Sequence, residues 1–420
     1  MSCREAEITA SKHPCYSAES QHKFARMHLP VAPACNIQCN YCNRLYDCVN
    51  ESRPGVTSEI LSPEQAIAKI GRVQAGLDNL AVIGIAGPGD ALANWPQTKA
   101  TLVATRQNYP DLILCLSTNG LMLPQYAEEL VELGVRHVTV TLNSVDLAIS
   151  EKIYRHIDWQ GQRLTGQAGV RILLENQLAG IRILTARGVL VKINIVMIPG
   201  INDAHIPEVV KVARDLGACM TNIMPLIPAG GSAFGHLPQT SHKDVAAMRE
   251  RCQEFLPQMK HCQQCRADAI GLLTQDRSAK FRNEPACPGG GCAGKSSEAS
   301  TSVKPFRIAV TSKYLRLVDQ HFGHAERFLI YETDGKTNRL IEQRQTSKYC
   351  SGNEFCEAEE EMKLDLVKKL TDCDAVVTMR LGAQAKARLL AQGIEAVESC
   401  ESIDEALTRT VEQLSIKQAG

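Results

Sequence analysis

Between about residues 28 and 226, six short runs of β-forming residues alternate with amphipathic helical stretches, and this alternation limits the possible folds most. The runs are HLPVAPAC, LAVIGIAG, LILCLSTNG, HVTVTLNS, LVKINIVMIPG and MTNIMPLI. Between them lie SPEQAIAKIGRVQAGL, LPQYAEELVELG and DAHIPEVVKVARDLG, whose apolar residues recur at helical spacing. Ser62 stands where a helix needs a capping side chain, with Pro63 at the first helical position. Six Val/Ile/Leu-rich strands, each followed by a helix, predict a parallel sheet whose faces the helices cover. Six units fall short of a closed eight-stranded barrel, so a partial (β/α)6 TIM-like barrel or an open sheet is expected.

Several runs end in polar or glycine clusters: AGPGD, STNG, TLNS and IPGIND. In parallel β/α folds ligands bind at that carboxyl edge of the sheet. The stretch ACNIQCNYCNRLYDC, residues 34–48, follows the first strand onto the same edge. A chain of 420 residues exceeds one ordinary domain. The organisation read from composition is an N-terminal segment (1–27), a β/α domain with a Cys-rich extension (28–285), a small-residue linker (286–304) and a second α/β domain (305–415). After the six units, a helix is expected over 242–256. In the second domain FRIAVTS, RFLIYET and DAVVTM read as strands, and 358–370 and 403–414 as helices.

Lys+Arg and Asp+Glu balance at 46 each, so bulk charge suggests no nucleic-acid partner. The amino terminus lacks a signal-peptide core and no apolar run is long enough for a membrane, which sets the expectation of a cytoplasmic chain. Under reducing conditions, 17 cysteines point to metal binding or catalysis rather than disulfides. Cys219 and Cys373 sit in apolar surroundings and read as small hydrophobes. Cys35, Cys39 and Cys42 are spaced C-x3-C-x2-C, which suits three corners of a four-iron cluster with the fourth iron open. The alternative is a zinc knuckle with Cys48 as the fourth ligand.

CNIQCNYC resembles the signature of the radical S-adenosylmethionine superfamily. That resemblance implies a partial barrel of radical S-adenosylmethionine type and a 4Fe–4S cluster on Cys35, Cys39 and Cys42. The open iron would be chelated by S-adenosylmethionine, whose reductive cleavage gives a 5′-deoxyadenosyl radical. AGPGD, with Gly87 and Gly89, stands where many members have a GGE-type loop, but lacks the glutamate. Tyr41, Gly87, Thr141 and Asn194 are the implied adenosylmethionine-groove residues.

SKHPCYS, CNRLYDCVNESRPGV, LLENQLAGI, IPGIND and HCQQC together resemble the nitrogenase iron–molybdenum cofactor biosynthesis family, over nearly the whole chain. The resemblance implies fusion of two 4Fe–4S substrate clusters around a carbide taken from an adenosylmethionine methyl group, with added sulfur, into an eight-iron precursor. Cys15, His28 and Cys48 are the implied anchors of one substrate cluster, and Cys252, Cys262 and Cys265 of the other; half of a zinc site is the rival for Cys262 and Cys265. Cys115 is read as a sulfur poised on an intermediate, and Glu175 as a proton acceptor during methyl-to-carbide conversion. The second domain resembles a cofactor-binding domain of ribonuclease-H-like fold, with His321 and His324 as product-cluster ligands. Cluster donors, downstream cofactor carriers or scaffolds, and a ferredoxin or flavodoxin are the implied partners. A non-catalytic cluster scaffold, and a radical enzyme acting on an organic substrate with relay clusters, are the competing classes.

Overall fold

The computed structural model describes residues 11–50, 57, 59–281, 305–312, and 318–346 and 366–419 apart from a few positions within the last two stretches. The chain divides into two compact units, Met1–Glu284 and Pro285–Gly420.

Six parallel strands build the first unit: β1 (Ala25–His28), β2 (Leu80–Ile85), β3 (Ile113–Thr118), β4 (His137–Thr141), β5 (Leu190–Met197) and β6 (Met220–Pro225), neighbours in that order. The helices that alternate with them are α1 (Pro63–Gly76), α2 (Trp95–Asn108), α3 (Leu123–Glu132), α4 (Leu147–Ile153), α5 (Gly166–Ala186), α6 (Ile206–Asp215) and α7 (His242–Cys252). This is the expected six-fold β/α series, a partial TIM-like barrel. Ser62 caps α1 in a reciprocal capping box with Gln65, and Pro63 opens the helix. Apolar side chains on one face of the strands, such as Leu114, Leu116, Val138, Val140, Val191 and Ile193, pack in the main core with α1, α2, α3, α5 and α6. Their alternates must then point into the barrel.

The first strand is displaced from the predicted position. It ends at His28, and residues 29–36 form a loop, because Pro30 and Pro33 have no N–H to donate to a ladder. Two short strands, β7 (Ile270–Leu272) and β8 (Gln275–Asp276), extend the sheet antiparallel beyond β1. The segment leading to them starts at the other edge: the Met259 N–H donates to the Thr221 carbonyl on β6 (2.8 Å). One run of chain therefore passes from β6 to β1 across the mouth left by a six-stranded barrel. A small sheet of Ile37–Cys39, Tyr154–Trp159 and Gln162–Leu164 braces the cysteine loop, and its short strands carry no clear alternation in sequence.

The second unit has a five-stranded sheet ordered Asn338–Gln345, Arg327–Thr333, Phe306–Val310, Ala375–Thr378, Glu395–Glu398. The first three are antiparallel and the last two join in parallel, the ribonuclease-H-like arrangement. Asn338–Gln345 escaped the sequence reading because this edge strand is mostly exposed and polar. Of the predicted helix 358–370, all but the end lies outside the described residues. Among the described residues, no helix is long and apolar enough to cross a membrane.

Candidate functional site

Two adjoining cavities occupy the barrel and its carboxyl edge, and Ser117 on β3 lines both. The outer one is bordered by Cys35, Cys39, Cys42 and Cys48. The inner one takes its wall from Cys15, His28, Cys115, Cys262 and Cys265.

Backbone pairing positions the outer cysteines. The Gly89 N–H donates to the Ala32 carbonyl (2.6 Å) and the Asp90 N–H to the Ala34 carbonyl (2.8 Å), which laces the AGPGD loop to the loop ahead of Cys35. A Cβ on Gly89 would fall 2.1 Å from the Ala34 oxygen, so only glycine permits the approach. Buried Asp90 accepts from the N–H groups of Leu92, Ala93 and Asn119 and from the Thr118 hydroxyl, at 2.6–3.0 Å. It thereby ties the ends of β2 and β3 together. The Asn119 amide reaches Cys35 Sγ at 3.8 Å, and the Arg44 guanidinium acts on Cys35, Cys42 and Cys48.

Burial pushes the Cys35 thiol up to about 12, with the Asp90 charge adding to the effect. Burial also raises Cys39, and the facing thiols of Cys42 and Cys35 raise it further. Three sulfurs that repel one another as anions form a donor set that a bound cation would discharge. Yet among the described residues no three His, Cys, Asp or Glu side chains close on one point as ligands of a single ion do. Thiolates on a lone zinc lie about 3.8 Å apart, from the tetrahedral 2.3 Å bond. Three thiols bordering one cavity are a donor set that suits three corners of a four-iron cluster.

In the inner cavity, alternate strand positions supply the polar lining, as with Cys115 and Ser117 on β3 and Lys192 and Asn194 on β5. His28 donates from Nδ1 to the Arg266 carbonyl (2.9 Å), which leaves Nε2 with a lone pair for a metal. Burial, then the Arg26 charge, lowers its pKa to about 4, so the ring is neutral. The buried Arg266–Asp268 ion pair (3.0 Å) fixes that carbonyl. Arg26 Nη2 donates to Cys265 Sγ (3.0 Å), and Asn222 Nδ2 to Cys262 Sγ (3.3 Å). His261 pairs with the Pro14 carbonyl (3.0 Å), so the N-terminal segment and the Cys-rich extension converge and bring Cys15 to Cys262 and Cys265.

Several expectations change. Cys48 lines the outer cavity, apart from Cys15 and His28, because its N–H is tied to the Pro88 carbonyl (3.0 Å) of the glycine loop. Cys252 ends α7 fully buried in the main apolar core and lines neither cavity; the helix spacing aims it at Val245 and Met248. Glu175 lies on the exposed face of α5, opposite the buried row Val170, Leu173 and Gln177, and borders neither cavity. Tyr41 is fully buried, and its hydroxyl bonds to Asn50 (2.5 Å) and Asn143 (2.7 Å), so the phenol does not face a ligand. Gly87 holds the turn at φ 128°, whereas Gly89 reaches the cavity. Thr141 lines the outer cavity and Asn194 the inner one. His321 and the His324 side chain lie outside the described residues. Sequence reasoning missed His13, Arg26, Asp90, Lys192 and Asn222; polar residues alternating with apolar ones in buried strands were the available signal for Lys192 and Asn222.

Residues 29–213 match the Radical SAM superfamily model, and residues 304–413 the model for Dinitrogenase iron-molybdenum cofactor. The FeMo cofactor biosynthesis protein NifB of Klebsiella pneumoniae is 46% identical to this chain, over 92% of it and 86% of the relative. The chain belongs to the NifB family. The NifB protein of Azotobacter vinelandii is 41% identical over 94% of this chain and 86% of its own length. Among solved structures, methylornithine synthase is similar at 14% identity and a TM-score of 0.40, over 60% of this chain and 70% of that one. As a NifB family member the chain is a radical S-adenosylmethionine protein of iron–molybdenum cofactor biosynthesis, and the family relationship implies a 4Fe–4S cluster and S-adenosylmethionine. Cys35, Cys39 and Cys42 fit that cluster in donor type and disposition.

Proposed function

We propose that the chain fuses two 4Fe–4S substrate clusters and inserts a carbide from the adenosylmethionine methyl group, with one added sulfur, to make the eight-iron precursor of the nitrogenase cofactor. One observation carries this reading: a cavity bordered by the three motif cysteines adjoins, through Ser117, a second cavity walled by four more cysteines and two histidines, His13 and His28. An organic substrate would not call for that many soft donors in the inner cavity. The cluster on Cys35, Cys39 and Cys42 supplies the electron for reductive cleavage of adenosylmethionine. Cys15, Cys262, Cys265 and His28 hold the substrate clusters, and Cys115, on β3 two residues from Ser117, meets the intermediate nearest the outer cavity. Thr141 and Gly89 shape the adenosylmethionine groove, and Asn194 spans its inner end. Cys48 sits beside the three motif cysteines, where it can engage a substrate cluster that moves outward.

The second unit, with His321 and His324, receives the finished precursor before downstream carriers take it. Cluster donor proteins load the inner cavity, and a ferredoxin or flavodoxin reduces the outer cluster. The test uses anaerobically reconstituted protein, a reductant and methyl-labelled adenosylmethionine. Label is expected in a cluster extracted from the protein. Cleavage of adenosylmethionine with no label in any cluster overturns the reading. Wild-type protein is expected to hold about twelve irons, three clusters of four, and about four would sink the assignment.

A further inference from the structure

The two cavities differ in charge. The outer one carries Arg44, half exposed, against the buried carboxylate of Asp90. The inner one is lined by two buried cations, Arg26 and Lys192, and among the described residues that line it there is no carboxylate. Arg26 is held by Nη1 donating to the Gly271 (2.5 Å) and Leu272 (3.0 Å) carbonyls, so its Nη2 stays on Cys265 Sγ at 3.0 Å. Its Nε is buried with no hydrogen-bond partner, and Asp276, the carboxylate that acts on it, lies outside the lining. Lys192 Nζ stands 5.3 Å from the Tyr16 ring centroid and 4.0 Å from Met259 Sδ, and its charge acts on Cys15 and Cys262. His13 adds a donor. Its Nδ1 accepts from the Cys15 N–H (3.1 Å), so the proton sits on Nε2, which is buried at the cavity wall without a partner.

We propose that Arg26 and Lys192 form a positive wall that raises the reduction potential of a cluster in the inner cavity above that of the cluster at Cys35, Cys39 and Cys42. The inference deepens the proposed function and rests on its assignment of substrate clusters to the inner cavity. Net charge and hydrogen bonds to sulfur are two of the protein's levers on a cluster's potential. The inner cavity holds two buried cations, one of them donating to Cys265 Sγ at 3.0 Å. The outer cavity balances Arg44 against Asp90, and its amides stand 3.8 Å from Cys35 Sγ and 4.0 Å from Cys39 Sγ. An added electron is stabilised by a nearby cation most where water does not screen it. The consequence is an order of loading: electrons entering the protein reduce the substrate clusters first. The outer cluster, at the lower potential, is reduced last and keeps the driving force to cleave adenosylmethionine.

The experiment is an anaerobic redox titration of full-length protein reconstituted with iron and sulfide, followed by electron paramagnetic resonance. The outer cluster is identified as the signal that changes when adenosylmethionine is added. In wild type, the unresponsive signals are expected to appear at higher potential than the responsive one. Lys192→Met, which keeps length and burial, should move an unresponsive signal to lower potential and leave the responsive one in place. Lys192→Arg should restore it. If Lys192→Met leaves the unresponsive midpoints unmoved, or shifts both classes equally, the positive wall is wrong while the proposed function stands. Wild-type protein with about four irons and only a responsive signal would overturn both. Arg26 anchors β7 and is the less clean variant, so Arg26→Met serves only to test that a second cation adds to the first.

Discussion

Asn222 Nδ2 lies 3.3 Å from Cys262 Sγ and 3.2 Å from Asn194 Oδ1, so one amide on β6 joins the inner-cavity sulfur to β5. Asn194 in turn donates to the Asn50 carbonyl (2.8 Å), and the Asn50 amide points at Cys39 Sγ from 4.0 Å. A chain of three asparagines therefore spans the interval between the inner cavity and the three-cysteine motif. Asn222→Ala removes these two hydrogen bonds and a longer one accepted from Arg249 Nη2 (3.5 Å), and should cost about 1–3 kcal/mol of stability in the metal-free protein. Urea unfolding measures it, and a loss under about 0.5 kcal/mol would show that the amide is not fixed as described.

Gly89→Ala should disrupt the lacing between the glycine loop and the loop ahead of Cys35, because the new methyl overlaps the Ala34 oxygen. Overpacking against backbone cannot be relieved by a rotamer change and should cost about 2 kcal/mol or more. Adenosylmethionine affinity, measured by calorimetry on reconstituted protein, should fall at least about tenfold, since about 1.4 kcal/mol is a factor of ten. Wild-type affinity and melting temperature together would contradict the geometry.

Cys252 and Cys262 should behave oppositely. Cys252→Ser buries a hydroxyl in the apolar core with Val245 and Met248, so it should cost about 1–3 kcal/mol of stability and no iron. Cys262→Ser should leave stability nearly unchanged and lower the iron content by about four per chain. Iron analysis beside thermal unfolding separates the two, and iron loss in Cys252→Ser would return that thiol to the ligand set.

His137 should make the metal-free protein sensitive to acid. Its ring is fully buried, neither nitrogen has a hydrogen-bond partner, and burial, then Lys192, lowers its pKa to about 3. Unfolded, the group takes a proton near pH 6.5, so between about pH 6.5 and 3 the unfolded chain binds more protons. The stability tied to neutral His137 is complete above about pH 6.5 and drains away as pH falls toward 3. His137→Phe, which keeps the edge contact with Tyr16, should flatten that slope by an amount on the order of a few kcal/mol. Identical slopes from chemical unfolding at several pH values would show that His137 finds a partner or is not buried.

The sequence by itself determined the β/α alternation, the cap at Ser62 and the cysteine triplet, because periodicity, helix ends and metal spacing are local properties of a chain. It also placed Cys115, Thr141 and Asn194 correctly on strands, since a polar residue at alternate positions of a buried strand must face a polar interior. Only the tertiary structure decided which cysteines meet. Cys48 stays with the motif because the Pro88 carbonyl holds it, and Cys15 reaches Cys262 because two distant segments converge through His261 and Pro14. Cys252 and Glu175 looked like chemistry in sequence, but their helices turn one into the core and the other to solvent. Arg26 carried no motif, and Lys192 only the polar alternation of a buried strand. Their effect comes from sharing a low-dielectric cavity with thiols that are 11 to 239 positions away in the chain for Arg26 and comparably remote for Lys192, a proximity that no local pattern encodes.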